Sequence, residues 1–343
     1  MKDVSKGMLE IMDSFEYERW EKAYESYPTL TEIILLYDNP EACPVQIKEQ
    51  LNEILLCIDS NLSLDAIRHI ANPVFSALQM EEVRLGFESG LDLEDIMMYA
   101  KPEFDGYQMR EIRKAIQRKM SKEKIELILN PQFKYRQMQQ IINGFIENCF
   151  DIKEVTVYAD PKFDVNVMSV FRLALLSVDV KKLALIKAYN YTSKEIKQCI
   201  KNMSDYPQIN LEYWKVLCNL SPVELATFPI IREANKGLSL DLVNALIKSN
   251  YSWECLNEIL TNYKQFSEEE QEFLFAFGSQ RDVPNPAWIK TIVNALKDGI
   301  SKETIMTGAI NAQDLDGFVA ILNEVRKNKR IQRLNQLVNK KTE

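Results

Sequence analysis

Apolar residues along this chain recur at spacings of three and four, the pattern of helices that bury one face. The pattern is itself repeated. Asn72-Pro73-Val74-Phe75 is followed by Met80, Lys101-Pro102-Glu103-Phe104 by Met109, Asn130-Pro131-Gln132-Phe133 by Met138, and Asp160-Pro161-Lys162-Phe163 by Met168, giving steps of 29, 29 and 30. A degenerate copy stands before them at Pro40, with Ala42 in the Phe slot and Ile47 in the Met slot, and another follows with Tyr191 and Ile196. Met109, Ile112 and Ile116 line one face of a helix in the clearest copy, and Val83 with Phe87, Ile141 with Phe145, and Phe171 with Leu175 fill the matching positions elsewhere.

A second series of small polar residues runs through Thr29, Ser63, Asp92, Ser121, Asp151, Asp179, Asn210, Ser239, Ser267 and Ser301, with a mean step of about 30. All ten belong to the types that accept from the free N–H groups of a helix's first turn. An apolar residue precedes each, and another stands four positions later in every copy but one, where Gln271 intervenes. That pairing predicts a hydrophobic staple at each helix start. Each unit therefore reads as a short helix (Leu93 to Ala100 in the clearest copy), a Pro corner, and a longer helix from about Asp105 to Lys119. Proline disfavours α geometry in the residue before it and has no N–H to donate, so the first helix stops at the corner. Gly90, Gly237 and Gly299 precede caps, as left-handed residues ending the previous helix would.

One such hairpin has more apolar surface than it can bury alone, and stacking on its neighbours removes the excess. The expected class is all-α, an α-solenoid of about ten stacked two-helix repeats. Its expected parts are an N-terminal helical cap over 1–28, the regular array over 29–266, and atypical repeats with a closing helix and basic tail over 267–343. Met8, Ile11, Met12, Phe15 and Trp20 supply the apolar face of the first cap; Asp314 to Val338 forms the closing helix, and Gly278 to Pro286 a long loop.

The Pro-x-Phe-x4-Met units resemble tandem helical repeats of roughly thirty residues in proteins of conjugative elements and phages of Firmicutes, over residues 40–200. The resemblance implies a binding scaffold on a mobile element. One form of it is an inhibitor or adaptor of a host defence complex, a ribonucleoprotein for example, with the acidic first third imitating DNA charge.

Composition agrees with a helical array and narrows the chemistry. The 343 residues are 46% hydrophobic and 27% charged, with only 10 Gly and 12 Pro, too few turn formers for a β-sandwich or a doubly wound sheet. No run approaches the roughly 18–20 apolar residues that cross a bilayer, and the acidic start lacks a secretory pattern, so the expected location is cytoplasmic and no membrane partner is expected. Six cysteines without CxxC spacing read as reduced packing residues. The single histidine, His69, lies inside a short helix with no supporting catalytic motif, and the glycines stand singly rather than in a phosphate-binding loop. No enzyme activity, cofactor or metal is expected.

Charge changes sign along the chain. Residues 1–107 carry 8 basic and 22 acidic side chains, whereas residues 108–201 carry 18 and 10. Glu81, Glu82, Asp92, Glu94 and Asp95 are the acidic candidates for partner binding. Arg110, Arg113, Lys114, Arg118, Lys122 and Arg136 are the basic candidates, for an acidic protein or, in the alternative reading of the chain as a nucleic-acid-binding repeat protein that uses its basic middle repeats, for phosphates. The competing reading pairs the basic stripe with the acidic helix stacked beside it, because Arg110 occupies the slot of Glu81 one repeat earlier. Tyr107 and Tyr135, near the corners, are candidate aromatic contacts.

Overall fold

The computed structural model describes residues 5–13, 17–39, 43–220, 229–249, 251–277 and 285–339. Among these the regular elements are helical, and no strand occurs. The chain divides into two compact units, Met1–Arg172 and Leu173–Glu343, a division that falls within the span read from sequence as one array.

The first unit contains α1 (Lys6–Asp13), α2 (Tyr17–Ser26), α3 (Leu30–Leu35), α4 (Pro44–Asp59), α5 (Leu64–Ile70), α6 (Ala77–Glu88), α7 (Leu93–Tyr99), α8 (Gly106–Gln117), α9 (Lys122–Ile128), α10 (Tyr135–Ile146), α11 (Ile152–Thr156) and the start of α12 (Val165–Ala174). The segment expected to form one N-terminal cap is thus two helices, with Met8, Met12 and Trp20 buried; Phe15 lies outside the described residues. The longer helices form a row in which α4 packs on α6, α6 on α8 and α8 on α10. Met80, Met109, Met138 and Met168 are fully buried. Each such side chain is worth roughly 1.5–3 kcal/mol relative to exposure.

In the second unit alternate helices also pack. Pro229–Asn235 contacts Trp253–Asn262, which contacts Pro286–Lys297, and Leu211–Leu217 contacts Leu240–Lys248, which contacts Glu268–Phe277. A closing helix spans Leu315–Asn339. Of the segment expected as a long loop, 278–284 lies outside the described residues, as do Pro40, Ala42, Lys340 and Lys341.

Eight of the ten expected caps accept a first-turn N–H: Ser63, Asp92, Asp151, Asp179, Asn210, Ser239, Ser267 and Ser301. Thr29 does not, because its φ of −89° and ψ of 6° leave the extended geometry a cap requires. At Ser121 the Lys124 N–H goes to the Ser121 carbonyl (3.0 Å) and the hydroxyl is left out. Gln271, the exception in the staple series, folds back to donate to the Phe266 carbonyl (2.9 Å).

A glutamine beside the buried Met slot fixes the repeat register. Gln108 Nε2 donates to the carbonyls of Pro131 (3.0 Å) and Phe133 (2.6 Å) in the next corner, while its Oε1 accepts from Asp105 N (2.7 Å) in its own. Gln79 and Gln137 make the same links to the corners at Phe104 and Phe163. Gln50 reaches Pro73 and Phe75 in the same way. The first copy is therefore registered on Gln50, with fully buried Leu51 in the Met slot; the sequence expectation of Ile47 there is four residues out of register. At the far end Val167 takes the glutamine position and the series stops.

Helix starts and cores also alternate in size. Tyr99 and Tyr158 are buried, donate to the carbonyls of Glu82 and Gln140 (3.2 Å each), and seat their hydroxyls against Gly86 and Gly144. The intervening copy has Ala115 and Ile128 in these slots. A Cβ at position 86 would overlap the Tyr99 hydroxyl. Gly86→Ala is therefore expected to cost about 1–3 kcal/mol despite alanine's better helix propensity. Thermal unfolding of Gly86→Ala with and without Tyr99→Phe checks this: the second change should recover part of the loss, and an undiminished melting temperature in the single variant would contradict the contact.

Candidate functional site

The acidic and basic candidates do not form two opposed surfaces. Glu82, on α6, is fully buried; its Oε1 accepts from Arg110 Nε (2.7 Å) and its Oε2 from Arg113 Nε (2.9 Å), both on α8. Arg113 is itself only 8% exposed. Glu82 and Arg113 thus leave the list of surface contacts, because two helices that share a packed row can bury a charge only by pairing it. Hydrogen bonding to Glu82 raises the Arg110 guanidinium above its ordinary range. The competing reading of the basic stripe describes these two arginines.

The same arrangement recurs along the row. Arg84 donates to Glu53 (3.0 Å), and Arg172 to Gln140 (3.1 Å). In the copy where Ile142 fills the arginine slot, Gln139 instead donates to Glu111 (3.0 Å). Glu53, whose side chain is 12% exposed, has its carboxyl pushed up by desolvation against the opposing pull of Arg84.

The remaining candidates are at the surface. Asp92, Glu94 and Asp95 crowd the start of α7, where partial burial and then repulsion from Asp92 and Glu94 raise the Asp95 carboxyl above its usual range. Lys122, at the start of α9, faces this group through Glu94 (3.7 Å). Glu81 is half-buried; Lys114 and Arg118 are exposed at the end of α8, with Lys114 4.0 Å from Glu111. His69 is exposed, four of the six free cysteines are buried, and among the described residues no group of His, Cys, Asp and Glu is placed to hold a metal ion. No described helix is long and apolar enough to cross a membrane.

One surface does gather several candidates. The corners preceding α8 and α10 line an open groove of about 790 Å³ that includes Leu78, Pro102, Tyr107, Pro131 and Lys134. Tyr107, 48% exposed, packs against Tyr135 with ring centroids 5.2 Å apart. The Arg110 guanidinium lies over Tyr107 (5.6 Å), and that of Arg136 over Tyr135 (5.7 Å), with Arg136 Nε donating to the Tyr135 hydroxyl (2.9 Å). Local sequence explains the placement: Tyr107 and Tyr135 fall in the first turns of their helices, just past the corner, while Phe104 and Phe133 point inward and anchor it. Sequence reasoning picks out both tyrosines and Arg136 and runs the basic stripe on through Lys134, but misses that Lys134 stands in a row otherwise filled by Ser76, Asp105 and Asp164.

Compared with family models, curated proteins and solved structures, the chain matches none.

Proposed function

We propose that the chain is an α-solenoid of about ten stacked two-helix repeats, a non-enzymatic scaffold that binds a protein partner through the corner groove at Tyr107 and the Tyr135 ring packed against it. The observation that carries this reading is the half-exposed tyrosine pair, flanked by guanidinium groups, on a frame in which Glu82 with Arg113 and Glu53 with Arg84 are paired between helices. Aromatic and arginine side chains supply most interface hot spots. The mobile-element resemblance gives this reading its host-defence form. In that form the DNA-like charge rests on Glu81, Asp92, Glu94 and Asp95, since Glu82 is enclosed.

Affinity capture from lysate of the source cells, with mass spectrometry of retained proteins and sequencing of retained nucleic acid, tests the reading. Tyr107→Ala/Tyr135→Ala is expected to weaken capture at least roughly tenfold, the equivalent of one hot-spot contact. Capture undiminished by the double variant would count against the groove. The nucleic-acid reading retains Lys114, Arg118, Lys122 and Arg136, all exposed. It predicts binding that falls steeply with salt, and no gel shift at low salt eliminates it.

A further inference from the structure

We infer that the Lys134 side of this groove, with Arg136 beside it, receives carboxylates from an acidic segment of a partner protein. The inference rests on the scaffold reading and adds the chemistry of what the groove holds. It begins from a broken local rule. At the four equivalent helix starts of the regular copies the cap position holds Ser76, Asp105, Lys134 and Asp164. Ser76, Asp105 and Asp164 each accept a first-turn N–H. An ammonium has no lone pair to offer, and the Gln137 N–H turns instead to the Lys134 carbonyl (2.8 Å). The cap is forfeited at the one copy where the corner also carries Tyr135 and Arg136, and such local losses gather where a surface is used for something else.

The geometry selects the partner's chemistry. A nucleobase needs a free aromatic face, but here the faces of Tyr107 and Tyr135 are turned to each other and to the guanidiniums of Arg110 and Arg136. What remains open are ring edges, proline surfaces and two cations. Pro102 and Pro131 have no N–H, and their carbonyls already accept from Gln79 and Gln108, so strand-like pairing with the corner backbone is not on offer. Recognition falls to side chains: apolar residues against Leu78 and Tyr107, and carboxylates at exposed Lys134, which lines the groove, and at exposed Arg136, two residues further along α10 and beside it. The preceding corner carries Glu103 and Asp105, the latter held by the Gln108 N–H (2.8 Å). Acid on one corner and base on the next give the bound segment a fixed direction.

The test uses the full chain and Lys134→Asp, which restores the carboxylate found at Asp105. Thermal unfolding should rise by about 2–4 °C as the cap forms. A randomised 12-residue peptide library displayed on yeast, selected on the unmodified chain, should enrich Asp and Glu beside apolar residues. Fluorescein-labelled copies of the selected peptides should bind Lys134→Asp at least roughly tenfold more weakly, although the variant is the more stable protein. A lowered melting temperature, no enrichment, or acidic peptides indifferent to Lys134→Asp would overturn the inference. So would a single-stranded oligonucleotide that displaces the peptides and itself depends on Lys134. Basic or uncharged peptides that are lost on Tyr107→Ala/Tyr135→Ala would overturn the acidic chemistry and leave the scaffold reading standing; peptides indifferent to both variants would count against both.

Discussion

Glu82→Ala is expected to destabilise the first unit by about 3–5 kcal/mol, the range for removing one partner of a buried ion pair. Glu82 is fully buried and Arg113 nearly so, and alanine would strand the Arg113 guanidinium between α6 and α8 with Gln117 (3.1 Å) as its remaining partner. The expected loss comes mainly from that stranded charge rather than from the attraction itself. Replacing both Glu82 and Arg113 by methionine should therefore recover most of it, since well-packed apolar side chains often do as well as a buried pair. Urea unfolding of Glu82→Ala and of the double methionine variant measures this directly. A single variant within about 1 kcal/mol of the parent, the most that an exposed ion pair usually contributes, would mean that the pair behaves as a surface contact.

The second large effect is expected at Gln108, where leucine matches the size but removes every hydrogen bond. Two carbonyls in the next corner and the Asp105 N–H in its own lose their partner together. At about 1 kcal/mol for each lost bond the expected cost is about 3 kcal/mol. Gln108→Glu separates the contributions: it keeps the acceptor for Asp105 but sets a carboxylate against the carbonyls of Pro131 and Phe133. It should be no better than leucine at neutral pH. A glutamate variant with parental stability in thermal and urea unfolding would show that the cross-corner bonds contribute little.

The repeated helix–corner–helix unit is readable because two independent rules act at the same spacing. Proline following a short helical run stops that helix, and a small polar residue after an apolar one starts the next. The glutamine series is equally periodic, yet a polar residue next to a buried methionine reads as solvent-facing until the neighbouring corner's carbonyls are in place. The same blindness puts Glu82 among the surface candidates: charge sign and helical phase are local, but whether a face meets water depends on the next helix in the row. Tyr107 and Tyr135 are legible as residues outside the core because a tyrosine just past a corner has no core slot of its own to fill. Ile47 is misassigned when Pro40 is matched to the corner prolines, because the hydrogen bonds of Gln50 set the register.

The alternation of Gly86 and Tyr99 with Ala115 and Ile128 makes a pair of repeats, rather than one, the exchangeable cassette of the first unit. Excising residues 92–120 would bring Ile128 to the notch at Gly86 and leave it partly empty. Excising 92–150 would bring Tyr158, whose hydroxyl already fits such a notch at Gly144. Lengthening or shortening the array without loss of fit therefore proceeds in even numbers of modules.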